Sequence, residues 1–195
     1  MYNNLQHFIK TLEQHGELIK IKEYVNPHLE ITEVVDRISK HNGPALLFEN
    51  TGTDFPLLIN AFGSEKRMAL ALGVQHLDEV AKDIEQLFKS LMSPKDSITD
   101  KLKMLPQLAE ISSWMPKQVS GRGECQEVIL QNPDLKKLPV MTCWPYDGGR
   151  FITLPMAFSK NPDTGKRNCG CYRLQVFDER TTGMHWQTHK QGAEH

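Results

Sequence analysis

No stretch of the 195 residues approaches the run of about 18 apolar residues that a membrane-spanning helix needs. The opening, MYNNLQHFIKTLEQHGEL, lacks the apolar core of a secretory signal and the Arg/Ser bias of a transit peptide. A surplus of either charge is also missing: 23 basic residues stand against 24 acidic ones, for a net charge of −1. This balance removes the electrostatic case for nucleic acid or an anionic membrane as main partner. Four cysteines in a chain of this length are too few for a disulfide framework. No repeat, low-complexity segment, Walker sequence or GxGxxG is present, and the glycines at 121, 123, 148 and 149 fit no phosphate-cradling pattern. A cytoplasmic (or organellar-matrix) protein with a sizeable core is the expectation.

What is present is ordered periodicity. Leu5, Phe8, Ile9 and Leu12 stand at i, i+3, i+4 and i+7 before Gly16, which predicts an amphipathic helix over 3–15. ELIKIKEYV alternates as a half-exposed strand, and LEITEVVDRISKHNG presents Ile31, Val34, Val35 and Ile38 on one helical face. ALLFE reads as a buried strand, PLLINAF as another, SEKRMALALG as a helix, and residues 77–92 as a strongly periodic helix. Alternating helices and strands predict an α/β layer domain. Pro106 and Pro116 interrupt the stretch after Pro94, which reads as a connector.

From Ser120 onward short apolar runs are separated by NPD, PYDGG and NPDTG turn clusters, the pattern of a β-barrel or sandwich. The fold class is therefore α+β or α/β: residues 1–118 as an N-terminal α/β domain with its connector, and 119–195 as a second domain of barrel or sandwich type. The last segment, CYRLQVF-DERTTG-MHWQTH, predicts a hairpin. With its turn centred near Arg180 and Thr181, Arg173 falls opposite Thr188 or His189.

Asn168, Arg173 and His189 would then offer an amide oxygen, a rigid fork of donors and an imidazole to an anionic, phosphorylated ligand, with or without a divalent metal. Residues five apart on a regular strand face opposite ways, so convergence of Asn168 and Arg173 requires a bulge, which Gly170 permits. The competing reading is an ordinary surface arginine and a turn asparagine. Cys169 and Cys171 have no second Cys or His pair at zinc-site spacing and are expected as small core fillers. His7, His15, His28, His41 and His76 lack partners at ligand spacing and read as structural or solvated. Asp147-Gly148-Gly149 reads as a turn, and Trp144-Pro145 as a pocket wall or a packed corner.

NLQHFIKTLEQHGELIKI, PHLEITEVVDR and GPALLFEN resemble the opening of the UbiD family of decarboxylases. LPVMTCWPYDGGRFITLP and RNCGCYRLQVF…MHWQTHKQGA resemble that family's cofactor-domain segments. The resemblance is to the 3-octaprenyl-4-hydroxybenzoate carboxy-lyases of ubiquinone and menaquinone biosynthesis, whose members are longer, so that this chain corresponds to an N-terminal portion. It implies a split β-barrel of the flavin-reductase type that binds prenylated FMN with manganese and potassium ions. Carried over residue by residue, it implies Arg173 as the catalytic arginine, and Asn168 and His189 as metal ligands. Cys171, Tyr172, Arg173, His185, Trp186, Gln187, Lys190 and Gln191 would contact the cofactor. His185 stands where relatives often carry Arg, and Gln191 where Gly is common. The family's metal-binding Glu and its two catalytic acids would lie beyond His195.

The implied activity is non-oxidative decarboxylation of an aromatic acid, with this chain inactive alone for want of its proton donor. The alternative is a flavin-binding barrel module without decarboxylase activity, acting as a carrier, an oxidoreductase fragment or a partner-dependent subunit. Expected partners are a small aromatic acid and further copies of the chain, through strand edges in 120–195. A polyprenylated substrate would add peripheral membrane contact.

Overall fold

The computed structural model describes residues 2–92, 104–117 and 119–195, which divide into two compact units. The larger comprises residues 1–75 and 132–195, the smaller 76–131.

The larger unit begins with helix α1 (Leu5–Gln14), whose first turn is capped by the Asn4 side chain accepting from the His7 N–H. Its apolar stripe buries Phe8, Ile9 and Leu12. Strand β1 (Leu18–Tyr24) leads to helix α2 (Glu30–Lys40) and strand β2 (Ala45–Asn50), a βαβ unit in which β1 and β2 run parallel. Strand β3 (Leu57–Ile59) returns antiparallel on the other edge of β2. Helix α3 (Glu65–Leu72) follows, capped by Ser64 and ended by Gly73 in the left-handed conformation.

The central strand β2 explains why ALLF is continuously apolar, since helices cover both faces of the sheet. Ala45 packs with Phe8 and Leu12 of α1. Leu46 and Phe48 pack with Ile31 of α2, and Val34, Val35 and Ile38 lie against that cluster as the helical period predicts. Met141, from far along the chain, completes it. Beneath α1, Glu17 accepts hydrogen bonds from Lys66 at 2.7 Å and Arg67 at 2.9 Å. Arg67 is 1% exposed, and its Nε and Nη2 have no protein partner among the described residues. The bond from Lys66, followed by that from Arg67, holds the Glu17 carboxyl below its ordinary value despite opposing burial.

In the same unit, a turn at 144–149 joins an antiparallel bridge between Met141 and Phe151. Strand β4 (Arg150–Ile152) pairs with β7 (Leu174–Val176), and β7 with β8 (Thr182–Met184), as one three-stranded sheet. Strands β5 (Met156–Lys160) and β6 (Arg167–Cys171) form a separate two-stranded ribbon. Among the described residues these small sheets do not close into a barrel.

The smaller unit holds helix α4 (Leu77–Met92), helix α5 (Leu105–Ser113) and a short 3-10 turn at Glu124–Gln126. Helix α4 forms as its period predicts, yet none of its residues is buried. Pro106 does not break α5 but sits in its first turn, where its missing N–H is an orphan anyway. The rest of the expected connector, 93–103, lies outside the described residues. Within the stretch expected to form short strands, GECQEVIL is instead a 3-10 turn followed by irregular chain.

Candidate functional site

The hairpin of β7 and β8 sets the geometry of the site. Its register pairs Leu174 with Met184, Gln175 with Gly183 and Val176 with Thr182. The ladder continues outward, with His185 N–H donating to the Arg173 carbonyl at 2.9 Å. His185, rather than Thr188 or His189, is therefore opposite Arg173. The shift arises at the turn: the Asp178 carboxylate accepts from the backbone N–H groups of Arg180 and Thr181, both at 2.8 Å, so the loop centres on Glu179. The Arg180 N–H first, then the Thr181 hydroxyl and N–H, hold the Asp178 carboxyl below its ordinary value. Lys136 likewise lowers Glu179 through a side-chain bond.

The expected bulge at Gly170 is absent, because β5 and β6 pair in unbroken register from Met156–Cys171 to Lys160–Arg167. Gly170 is required for a different reason. A Cβ there would lie 2.4 Å from the Tyr172 ring, which is folded back under the strand and 4% exposed. Cys169 and Cys171 are exposed on the outer face, not core fillers, because no further layer among the described residues covers that face.

Beyond the end of β6 the chain crosses from the ribbon to the three-stranded sheet, and a cleft of about 330 Å³ opens at the crossing. Thr153, Cys171, Tyr172, Arg173, His185, Gln187 and Lys190 line it. Six of the eight residues expected at the cofactor thus share one cleft. Trp186 lines a neighbouring hollow and packs on Tyr172 with ring centroids 5.6 Å apart. Gln191 and Asn168 line a second cavity of about 440 Å³ with Arg167, Glu194 and His195. His189 is exposed in the turn before the short helix α6 (Gln191–Glu194). Asn168 and Arg173 therefore do not converge on one cavity.

Bonds to Tyr172 and Cys171 help hold the return segment. The Gly192 N–H donates to the Tyr172 hydroxyl at 2.7 Å, and Lys190 Nζ donates to the Cys171 carbonyl at 2.9 Å. Lys190 also sits 5.1 Å from the Tyr172 ring centroid. The Arg173 guanidinium stacks on Phe151, 4.3 Å from the ring centroid. Phe151 and Thr153 carry no sequence signal of their own for this site. They arrive through β4 pairing with β7, which joins residues far apart in the chain.

Arg173 and Lys190 give the cleft two cationic donors, and none of its lining residues is acidic. This set fits an anion such as a phosphate or carboxylate. The volume is at the low end of the roughly 300–1,000 Å³ of small-molecule sites. A divalent metal is less well served, since such ions take about six oxygen ligands. Among the described residues no three His, Cys, Asp or Glu side chains gather to hold one. The buried Nδ2 of Asn168 has no partner, leaving that amide as an isolated polar group in the second cavity.

Two family models match the chain. The 3-octaprenyl-4-hydroxybenzoate carboxy-lyase N-terminal domain covers residues 9–87, and the Rift-related domain of the same carboxy-lyase covers 117–195. An uncharacterized protein of Archaeoglobus fulgidus is 48% identical over 195 residues, which are 100% of this chain and 39% of the relative. The vanillic acid decarboxylase of Sedimentibacter hydroxybenzoicus in its closed form is 27% identical with a TM-score of 0.74, covering 100% of this chain and 39% of that one. An evolved dimeric form of the UbiD-class enzyme HmfF from Pelotomaculum thermopropionicum, in complex with prenylated FMN, is 26% identical with a TM-score of 0.71, covering 95% and 39%. The chain thus spans about 39% of the length of these relatives.

Proposed function

Because the chain belongs to the UbiD family of carboxy-lyases, we propose that it forms the cofactor-gripping part of an aromatic-acid decarboxylase that uses prenylated FMN. In this reading residues 1–118 are the N-terminal α/β domain and 119–195 the start of the flavin-binding domain. The observation that carries it is the cleft in which Cys171, Tyr172, Arg173, His185, Gln187 and Lys190 meet around two cationic side chains. When bound, the prenylated flavin supplies the electron sink for the breaking carbon–carbon bond.

The chain's own residues would bind and orient. Arg173, its guanidinium plane held by Phe151, would hold the substrate carboxylate as a bidentate fork. Lys190, directed by its bond to the Cys171 carbonyl, would neutralise anionic charge on the flavin. Trp186 would support Tyr172 beneath them, and Gln191 would approach from the second cavity. Asn168 and His189 would contribute two donors to a manganese site with potassium nearby, a site that needs further ligands to be complete. No carboxylic acid lines the cleft, so a carboxyl group that could protonate the carbon left by CO2 is not among its lining residues. That observation favours a second reading, in which the chain alone binds flavin without decarboxylating anything.

The substrate is proposed as a polyprenyl-hydroxybenzoate-like acid of quinone biosynthesis, the compartment as cytoplasmic, and the assembly as a homo-oligomer. Among the described residues no helix is long and apolar enough to cross a membrane. Calorimetric titration of the chain with prenylated FMN and manganese, beside Arg173→Ala, Lys190→Ala and Asn168→Ala, tests the reading. Binding that weakens in all three variants, without CO2 release from aromatic acids, is expected. Binding indifferent to Arg173 and Lys190 would show that the cleft is not the flavin site, and robust decarboxylation by the 195-residue chain would refute the need for a further carboxylic acid.

A further inference from the structure

The outer face of the β5–β6 ribbon carries three sulfur atoms for which the flavin reading has no collective use. Cys169 and Cys171 alternate with Asn168 and Gly170 and project to the exposed side, both as free thiols. Directly across the ribbon from Cys171 stands Met156, 70% exposed. Residues opposite each other on an antiparallel pair share a face, with Cβ atoms about 4.5–5.5 Å apart. The unbroken register therefore sets a thioether beside two thiols.

The spacing of the thiols selects what they can hold. Two strand steps separate their Cα atoms by about 6.7 Å. That is the upper edge of the roughly 4.4–6.8 Å a disulfide spans, and parallel side chains do not bring Cβ atoms to the ~3.8 Å it prefers. A bridging ion relaxes the demand, because two metal–sulfur bonds of about 2.3 Å let the sulfurs stay up to about 4.6 Å apart. Two thiolates and a thioether are soft donors, which take Cu(I)-class ions and leave magnesium, calcium and manganese to oxygen ligands.

We propose that Met156, Cys169 and Cys171 form a binding site for one soft, thiophilic cation of the Cu(I) class. On binding, two copper–thiolate bonds form, two thiol protons leave to solvent, and the thioether adds a third, neutral bond. Copper remains Cu(I) throughout. Cys171 also lines the Arg173 cleft, so the ion sits at its rim. The site does not depend on what that cleft binds.

The test is anaerobic titration of the full chain with Cu(I) against a coloured competing chelator. The wild type should take up one ion per chain. Cys169→Ser and Cys171→Ser should each weaken binding about 100-fold, and Met156→Leu about tenfold. Cys125→Ser, whose thiol is exposed elsewhere, should leave it unchanged, and excess manganese should not compete. Circular dichroism establishes that each variant is folded, and Cys169→Ser, at an exposed position, carries the test should Cys171→Ser unfold. Retention of tight binding in Cys169→Ser, or equal loss in Cys125→Ser, would overturn the proposal.

Discussion

Replacing Tyr172 by Phe removes a single oxygen atom and leaves the ring in its place against Trp186. That oxygen accepts the Gly192 N–H at 2.7 Å in a pocket where both residues are buried. The ring is only 4% exposed, and a Cβ on Gly192 would lie 2.5 Å from the hydroxyl, so water has little room to replace it. Leaving a buried N–H without an acceptor costs about 1–3 kcal/mol, or about 5- to 150-fold in the opening equilibrium of the segment it holds. The loss should be local, because the lattice of β4, β7 and β8 does not use this bond. Hydrogen exchange followed by NMR should therefore show the Gly192 amide exchanging faster by that factor while amides of β2 keep their protection. Flavin affinity should fall with it, since Lys190 is two residues away and lines the cleft. An unchanged Gly192 exchange rate in a folded Tyr172→Phe variant would refute the latch.

Glu17→Gln should destabilise the fold by about 3–5 kcal/mol at neutral pH, because it strands the buried Arg67 charge, and urea titration reads this directly. The folded Glu17 carboxyl titrates below its unfolded value, so its contribution is complete above the ordinary Glu range near ~4.3 and is lost as pH falls through the lowered folded value. The gap between wild type and variant should accordingly begin to close only below the ordinary Glu range, and a gap that closed above that range would contradict the assignment. Gly170→Ala, forced against the Tyr172 ring, should lower the thermal midpoint by an amount corresponding to about 1–3 kcal/mol. Phe151→Leu removes the ring beneath Arg173 and should weaken binding of an anionic ligand in the cleft about two- to fivefold, matching the roughly 0.5–1 kcal/mol of an exposed cation–π contact. Calorimetry that finds no change there would show that Arg173 does not need the ring to present its fork.

The first 75 residues were legible because each element announces itself locally. The apolar period of α1 and α2, the continuous run of β2 and the left-handed Gly73 after α3 all appear where periodicity and capping predict. The second half depends on distant pairings that no local pattern encodes. The turn residues marked the β7–β8 hairpin, yet the two backbone bonds to Asp178 moved its centre and brought His185 to Arg173. An Asp two and three residues before the donating N–H groups is a turn signal in its own right. The glycine at 170 is visible in the sequence, but what requires it is a ring two residues on rather than a bulge. The exposure of Cys169 and Cys171, like that of the α4 stripe, follows from what does or does not cover a face, and residue type alone does not say.

The placement of β2 between a parallel and an antiparallel neighbour also bears on how the chain finds its fold. Its pairing with β3 closes across a short turn, whereas its pairing with β1 must wait until the whole of α2 has been laid between them. Loop closure costs more entropy over the longer span, so the β2–β3 hairpin should belong to the folding nucleus and β1 should dock after the barrier. Leu57→Ala would then slow folding, while Ile21→Val would chiefly hasten unfolding. Stopped-flow chevrons distinguish the two, and the opposite assignment of rates would mean that the parallel crossover, not the hairpin, leads assembly.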